Sequence, residues 1–307
     1  MSPTIEVREV GLRDGLQMVE AIVPTEDKLA WLQAEAAVGV RSFDITSFVS
    51  KSRMPQFADA EQMVGATAAL PGLHASVLTL NARGAERALE AGAQRLVFVL
   101  SASAAHSRGN AGRDTDAALE EFAQVAHLVQ HAGRPVHLEA GIATAFGCTL
   151  EGAIDPARVR RLAARLAALG ADEIMLADTV GYAQPRQVKA LFDAVRQEIG
   201  DLCLGGHFHD TRGLALANVA AALDAGVRKF DAALGGLGGC PFAPGASGNV
   251  ATEDLVFLLQ SMGYATGIDL PALLQLRTRL AHWLPGVDLC GAIARAGLPK
   301  NFDFQPA

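Results

Sequence analysis

The chain has 307 residues, half of them apolar, with 26 basic against 33 acidic side chains and a formal net charge of −7. That length suits one large α/β domain or two ordinary ones with a sizeable core, and the interspersed charges contain no basic tract to neutralise phosphates, so no nucleic-acid partner is expected. No run approaches 18 consecutive apolar residues, the first six residues lack a signal-peptide pattern, and Cys148, Cys203, Cys240 and Cys290 show no CxxC or zinc spacing; no membrane association, reduced thiols and a cytoplasmic location are expected.

Short β-branched or apolar runs alternate with longer Ala-, Leu-, Glu- and Arg-rich stretches of helical period. Strands are predicted at about residues 5–10, 42–46, 73–78, 95–100, 136–139, 173–177, 203–208 and 229–233. Helices are predicted between them at roughly 26–38, 58–69, 82–91, 115–131, 156–168, 185–198, 213–225 and 252–262. Each ends close to a glycine: Gly39, Gly72, Gly92, Gly133, Gly170, Gly200, Gly226 and Gly263. Eight βα units in a chain of this length predict an α/β fold of the (β/α)8 TIM-barrel kind rather than a doubly wound sheet. The barrel is expected over about residues 5–265 and extra C-terminal helices over about 266–307. Without a low-complexity linker, the whole chain is expected to form one domain.

In a barrel of this kind, functional side chains gather where strands end. That selects Glu9 to Gly15 after the first strand, Asp44 after the second, Glu139 after the fifth, Asp178 after the sixth, His207 and His209 on the seventh, and Cys240 and Asn249 after the eighth. His207 and His209 stand at i and i+2, hence on one face of their strand. A histidine in an apolar strand is often a satisfied core residue, but two on one rigid face need only one or two oxygen donors to complete a divalent site. Alone, Arg13-Asp14 between Gly11 and Gly15 reads as a salt-bridged turn; beside the histidines, Asp14 is the natural carboxylate ligand and Arg13 a fixed cation for an oxyanion. With the amide oxygen of Asn249 the set has four donors, a mixture suiting Mg²⁺ or Mn²⁺, with Zn²⁺, Co²⁺ or Fe²⁺ also compatible.

Cys240 lies among Gly235, Gly236, Gly238 and Gly239. A lone cysteine is more often a buried hydrophobe than a catalyst, yet one in a mobile Gly-rich loop beside a metal mouth is exposed enough to donate a proton. Those glycines lack the Gly-Lys-Ser/Thr of a phosphate-binding loop. Glu253 and Asp254 are expected in the first turn of the last barrel helix, complementing its dipole, and Asp178 as a cap or turn residue. His127 and His131, at i and i+4 on a solvent face, are not expected to bind metal.

Taken together, these runs resemble the 3-hydroxy-3-methylglutaryl-CoA lyases, part of a larger barrel family of metal-dependent lyases and Claisen-type synthases. The resemblance spans about residues 5–270 and rests on four runs: Glu9-Val10-Gly11-Leu12-Arg13-Asp14-Gly15-Leu16-Gln17, Ile45-Thr46-Ser47-Phe48-Val49-Ser50, His207-Phe208-His209-Asp210-Thr211, and the stretch from Gly238-Gly239-Cys240-Pro241 to Asn249 and Asp254. It implies a retro-Claisen carbon–carbon lyase acting on an acyl-CoA, with a divalent metal held by Asp14, His207, His209 and Asn249. It further implies Arg13, Cys240 and Asp44 as catalytic residues, Gln17 and Ser47 on the substrate, Glu9 and Glu253 in support, and a homodimer or higher homo-oligomer. The chain departs from the family pattern in four places. Asp44 replaces Glu, Glu139-Ala140-Gly141 replaces Arg-Gly-Tyr, Gln17-Met18-Val19 replaces Gln-Asn-Glu, and Gly147-Cys148-Thr149-Leu150-Glu151-Gly152 replaces Gly-Cys-Pro-Tyr-Glu-Gly. These changes open citramalyl-CoA or a longer branched 3-hydroxyacyl-CoA as competing substrates. A condensing acyl-CoA synthase, an Fe²⁺ oxygenase and a CoA-ester-binding barrel without turnover are the other readings.

Overall fold

The computed structural model describes residues 3–200, 202–239, 248–300 and 302. Eight strands pair in parallel in chain order: β1 (Glu6–Glu9), β2 (Ser42–Ser47), β3 (His74–Thr79), β4 (Arg95–Ser101), β5 (His137–Ala143), β6 (Glu173–Asp178), β7 (Cys203–Phe208) and β8 (Lys229–Ala232). β1 also pairs with β8, which closes a TIM barrel. All six residues of β2 are buried, as a strand covered by helices on one face and by the barrel interior on the other must be.

Around the barrel run α1 (Thr25–Ala37), α2 (Ala60–Ala68), α3 (Ala82–Glu90), α4 (Ala104–Ala111), α5 (Thr115–Gln130), α6 (Pro156–Ala168), α7 (Pro185–Ile199), α8 (Ala215–Asp224) and α9 (Thr252–Ser261). α7 shows why they form. Pro185 opens the helix where no N–H is needed, and Val188, Leu191, Phe192 and Val195 recur on one buried stripe at i, i+3, i+4 and i+7. Burial of each such side chain stabilises by about 1.5–3 kcal/mol, so Phe192→Ala is the change that breaks this stripe. The predicted glycine stops are present, with φ of 93° at Gly92 and 102° at Gly170, a backbone that L side chains resist.

Two elements differ from expectation. β5 continues past Glu139 to Ala143 because β4 pairs with it as far as Ser101↔Ala143, although Ala140-Gly141-Ile142-Ala143 has little strand propensity. The unpredicted α4 is short and polar, and starts where Ser103 accepts the His106 N–H.

The C-terminal extension braces the end of the barrel where the strands finish. α10 (Leu270–Trp283) stacks Trp283 on Trp31 of α1, with ring centroids 6.2 Å apart. Arg277 on α10 bonds Glu253 of α9, and the Cys290 N–H donates to the Gly235 carbonyl at 2.7 Å. α11 (Ala292–Ala296) begins on Asp254, whose carboxylate accepts the N–H groups of Ala292 and Ile293. Among the described residues no helix is long and apolar enough to cross a membrane.

Candidate active site

The chain leaves β1 in one tight π-type turn, Gly11–Gly15, in which the Val10 carbonyl collects the N–H groups of Arg13, Asp14 and Gly15 at 2.7–3.1 Å. A side chain at Gly11 would lie 2.7 Å from Glu9 Oε1 and 2.8 Å from Trp31, so only glycine fits there. The turn sets Arg13 and Asp14 side by side, their side chains 2.7 Å apart. His207 is the next-to-last residue of β7, and His209 just beyond the strand pairs through its backbone with Asn249, bringing residues 14, 207, 209 and 249 to one mouth.

Candidate ligating atoms of Asp14, His207 and His209 lie within 4.8 Å of one another. His207 Nδ1 is 3.0 Å from Asp231 Oδ2, which assigns the proton to Nδ1 and leaves Nε2 its lone pair. Asn249 Nδ2 donates to Asp14 Oδ2 at 2.7 Å and to the Leu237 carbonyl at 2.9 Å. Among the described residues its Oδ1 is buried without a hydrogen-bond partner, and so is His209 Nδ1. An orphaned buried acceptor costs about 1–3 kcal/mol unless something completes it. Here the orphans sit beside a carboxylate and a neutral imidazole, a donor set that fits a divalent cation. Gly238 walls this cluster: a Cβ there would sit 2.5 Å from Asn249 Nδ2 and 3.3 Å from Asp14 Oδ2.

The charges at Asp14 and His209 support ligation. Burial pushes the Asp14 carboxyl up, but the Arg13 guanidinium, then His209 and His207, hold it well below the usual carboxylate range. Burial lowers His209, and the neighbouring His207 lowers it further, favouring the neutral ring that a metal needs. Burial also acts against a charged His207, but its bond to Asp231 carries its pKa upward.

Asp44 is wholly buried and accepts from Arg13 Nε at 2.7 Å. Burial drives its pKa up against the pull of Arg13. Unlike Arg13, it is absent from the cavity wall, so its contact is with Arg13. Strict alternation would turn Ser47 away from the face that carries Asp44. A register shift between Asp44 and Thr46 brings it to the cavity.

That cavity, about 290 Å³, opens at the mouth between Arg13, Asp14, His207 and His209 on one side and an apolar wall of Leu78, Val97, Val99 and Met175 on the other. Gln17 and Ser47 line it, as does Gly239, which precedes Cys240. Cys240 itself lies outside the described residues. A larger cleft, about 620 Å³, opens at the opposite ends of the strands around His74, Arg95 and His137, and holds none of these residues.

Glu9 sits behind the mouth. Its carboxylate accepts the N–H groups of Gly11 and Leu234 and the Thr252 hydroxyl, tying the first turn to α9, and burial pushes its pKa up to about 7. Glu253 does lie in the first turn of α9, but it is buried, accepting from the Gly235 N–H at 3.0 Å and from Arg277. Asp178 is the turn residue expected, accepting the N–H groups of Tyr182 and Ala183, and burial raises its pKa to about 6.

Sequence reasoning missed Arg8, Lys229 and Asp231. All three are buried inside the barrel, where Arg8 pairs with Glu139 and Asp231, and Lys229 with Glu139 and Glu173. The available signal was spacing: Glu6-x-Arg8 and Lys229-x-Asp231 put charges at i and i+2 on one strand face.

A family model described as HMGL-like matches residues 4–279. The chain is 38% identical over 280 residues to the hydroxymethylglutaryl-CoA lyase of Pseudomonas mevalonii, covering 91% of this chain and 92% of that one. It is 40% identical over 266 residues to the cytoplasmic 3-hydroxy-3-methylglutaryl-CoA lyase of Rattus norvegicus, covering 87% and 77%. A solved HMG-CoA lyase from Acinetobacter baumannii, in complex with coenzyme A and 3-methylmalate, superposes with a TM-score of 0.91 at 41% identity, covering 99% of this chain and 98% of that one.

Proposed function

The chain belongs to the HMGL-like family of carbon–carbon lyases, and on that premise we propose that it cleaves 3-hydroxy-3-methylglutaryl-CoA to acetyl-CoA and acetoacetate. The observation that carries this reading is the Asp14, His207 and His209 cluster at the mouth of the barrel cavity. Asp14, His207, His209 and Asn249 would hold a divalent cation, Mg²⁺ or Mn²⁺. Such an ion supplies Lewis-acid polarisation that makes a tertiary alcohol more acidic.

In the cleavage, the alcohol loses its proton, C3 becomes a carbonyl, and the C2–C3 bond breaks with its electron pair left on C2 as a thioester enolate. Arg13 is held by Asp44 through Nε and by Asp14 through Nη1, which leaves Nη2 to stabilise the enolate oxygen. Cys240 gives its thiol proton to C2, yielding acetyl-CoA, and the proton released from the alcohol, passed through solvent, restores the thiol so that the turnover is proton-neutral. Gln17 and Ser47, on the cavity wall, contact the substrate. Asp44 acts by fixing Arg13, and Glu9 and Glu253 support the turns that carry the site. The whole chain works as one catalytic domain, cytoplasmic, in a homodimer or higher homo-oligomer, and takes an acyl-CoA as substrate.

Mass spectrometry of CoA products tests this, with Mn²⁺- or Mg²⁺-loaded protein given methylglutaryl-CoA and citramalyl-CoA in parallel. Acetyl-CoA from the first, abolished by EDTA, is expected. Acetyl-CoA from citramalyl-CoA alone would keep the chemistry and replace the substrate. No product from either would overturn the reading.

A further inference from the structure

We propose that Arg8 is a positioning residue of the metal site, a flat clamp that fixes Asp231 and through it His207. The inference rests on the metal reading above and concerns a residue that touches neither the cluster nor its candidate ligating atoms.

The geometry is a ladder of buried groups from four strands. Arg8 reaches from β1 to two carboxylates at once. Nε and Nη2 meet Asp231 of β8 at 2.7 and 2.9 Å, and Nη1 and Nη2 meet Glu139 of β5 at 2.6 and 2.8 Å. The pair with Asp231 is side-on and that with Glu139 end-on, both bidentate, so four of the five guanidinium N–H groups are used and the plane of the group is set from two edges. Glu139 is held in turn by Lys229 Nζ at 3.1 Å, and Lys229 reaches Glu173 at 2.7 Å. Arg8 is only 2% exposed.

At its other end the ladder meets the site. Asp231 Oδ2, which accepts from Arg8 Nη2, is also the oxygen 3.0 Å from His207 Nδ1. Among the described residues, Arg8 and His207 are the side chains that donate to this carboxylate. Take the guanidinium away and Asp231 is anchored only by the imidazole it is meant to hold. With the guanidinium in place, the carboxylate plane is fixed, and with it the tautomer and tilt of His207. A ligand's outer partner commonly matters about 10–100-fold in metal affinity. Arg8 is one link further out, but the clamp is rigid because neither of its bidentate pairs can turn independently.

The test reads metal binding, not turnover: free Mn²⁺ is measured by EPR during titration of the metal-free full-length protein. Arg8→Lys keeps the charge but replaces two bidentate pairs with a point donor. It is expected to weaken Mn²⁺ binding about 10-fold or more with the far-UV circular dichroism unchanged. Glu173→Gln disturbs the same buried charges three links further from His207, and its Mn²⁺ affinity is expected to match wild type. Wild-type affinity in folded Arg8→Lys would overturn the proposal, as would an equal loss in Glu173→Gln, which would make the ladder scaffold alone. Should Arg8→Lys fail to fold, Arg8→Met/Glu139→Met removes one charge of each sign. The same loss is expected, and wild-type affinity overturns the clamp. Wild-type protein that binds no Mn²⁺ would sink the metal reading itself, whereas a different acyl substrate would leave these results untouched.

Discussion

Two clusters of buried polar groups share this barrel and are built in opposite ways. Deep in the barrel, Arg8 faces Glu139 and Asp231, and Lys229 faces Glu173, at 2.6–2.7 Å. At the mouth, Asn249 Oδ1 and His209 Nδ1 are buried with no hydrogen-bond partner among the described residues. A protein interior tolerates the first arrangement as structure, because breaking one pair leaves an uncompensated charge. It tolerates the second only where something from outside completes the bonding. Between these two clusters the difference lies in pairing and not in burial or charge, since both are buried and both are charged.

Substitutions sharpen the contrast. Asp14→Ala at the mouth is expected to weaken Mn²⁺ binding and cut kcat by about 10³-fold, with a smaller loss of stability in the metal-free protein because Arg13 keeps Asp44 as a partner. Steady-state kinetics and titration check it, and a large stability loss would blur the distinction. Deep in the barrel the balance reverses. Glu139→Ala takes one of the carboxylate partners from each of Arg8 and Lys229 and is expected to lower stability by about 3 kcal/mol, measured by urea unfolding.

Asp44→Asn lies between the two. It keeps an acceptor for Arg13 but removes the charge, and about a tenfold fall in kcat with unchanged Mn²⁺ affinity is expected. Cys240→Ala is expected to lose rate and keep metal. Full activity under reducing conditions would end its assignment as the proton donor.

The smallest effect is a pH slope. Burial raises the folded-state pKa of Glu9 to about 7, above its value in the unfolded chain, so its contribution to stability is complete below the ordinary glutamate range and is lost as pH rises through about 7. Glu9→Gln can still bond Thr252, and it is expected to flatten the fall in unfolding free energy between about pH 5 and 8. An unchanged slope would place the titration elsewhere.

The strand order was legible because β-branched runs and glycine stops repeat at one spacing, and the mouth was legible because Arg13-Asp14 and His207-x-His209 are local patterns. The rest is long-range. Nothing near Arg8 in the sequence announces a carboxylate 223 residues away, yet Asp231 is its partner. The shift that turns Ser47 into the cavity is a property of pairing with β3, and α4 carries too few apolar residues to show a helical period. Asp44 is one methylene shorter than the Glu it replaces, and it meets Arg13 at 2.7 Å because the Gly11–Gly15 turn brings the guanidinium to it.

The chain contains two tryptophans, and they are the two that stack between α1 and α10. With Trp31 fully buried and Trp283 nearly so, intrinsic emission is blue and comes from that seam alone. The fluorescence of this protein therefore watches the seam between α1 and the C-terminal extension, with Trp31 also packed against Gly11 of the mouth turn. If α10, with its Arg277 brace on Glu253, peels away first on heating, the emission shifts red while the far-UV signal of the barrel still stands.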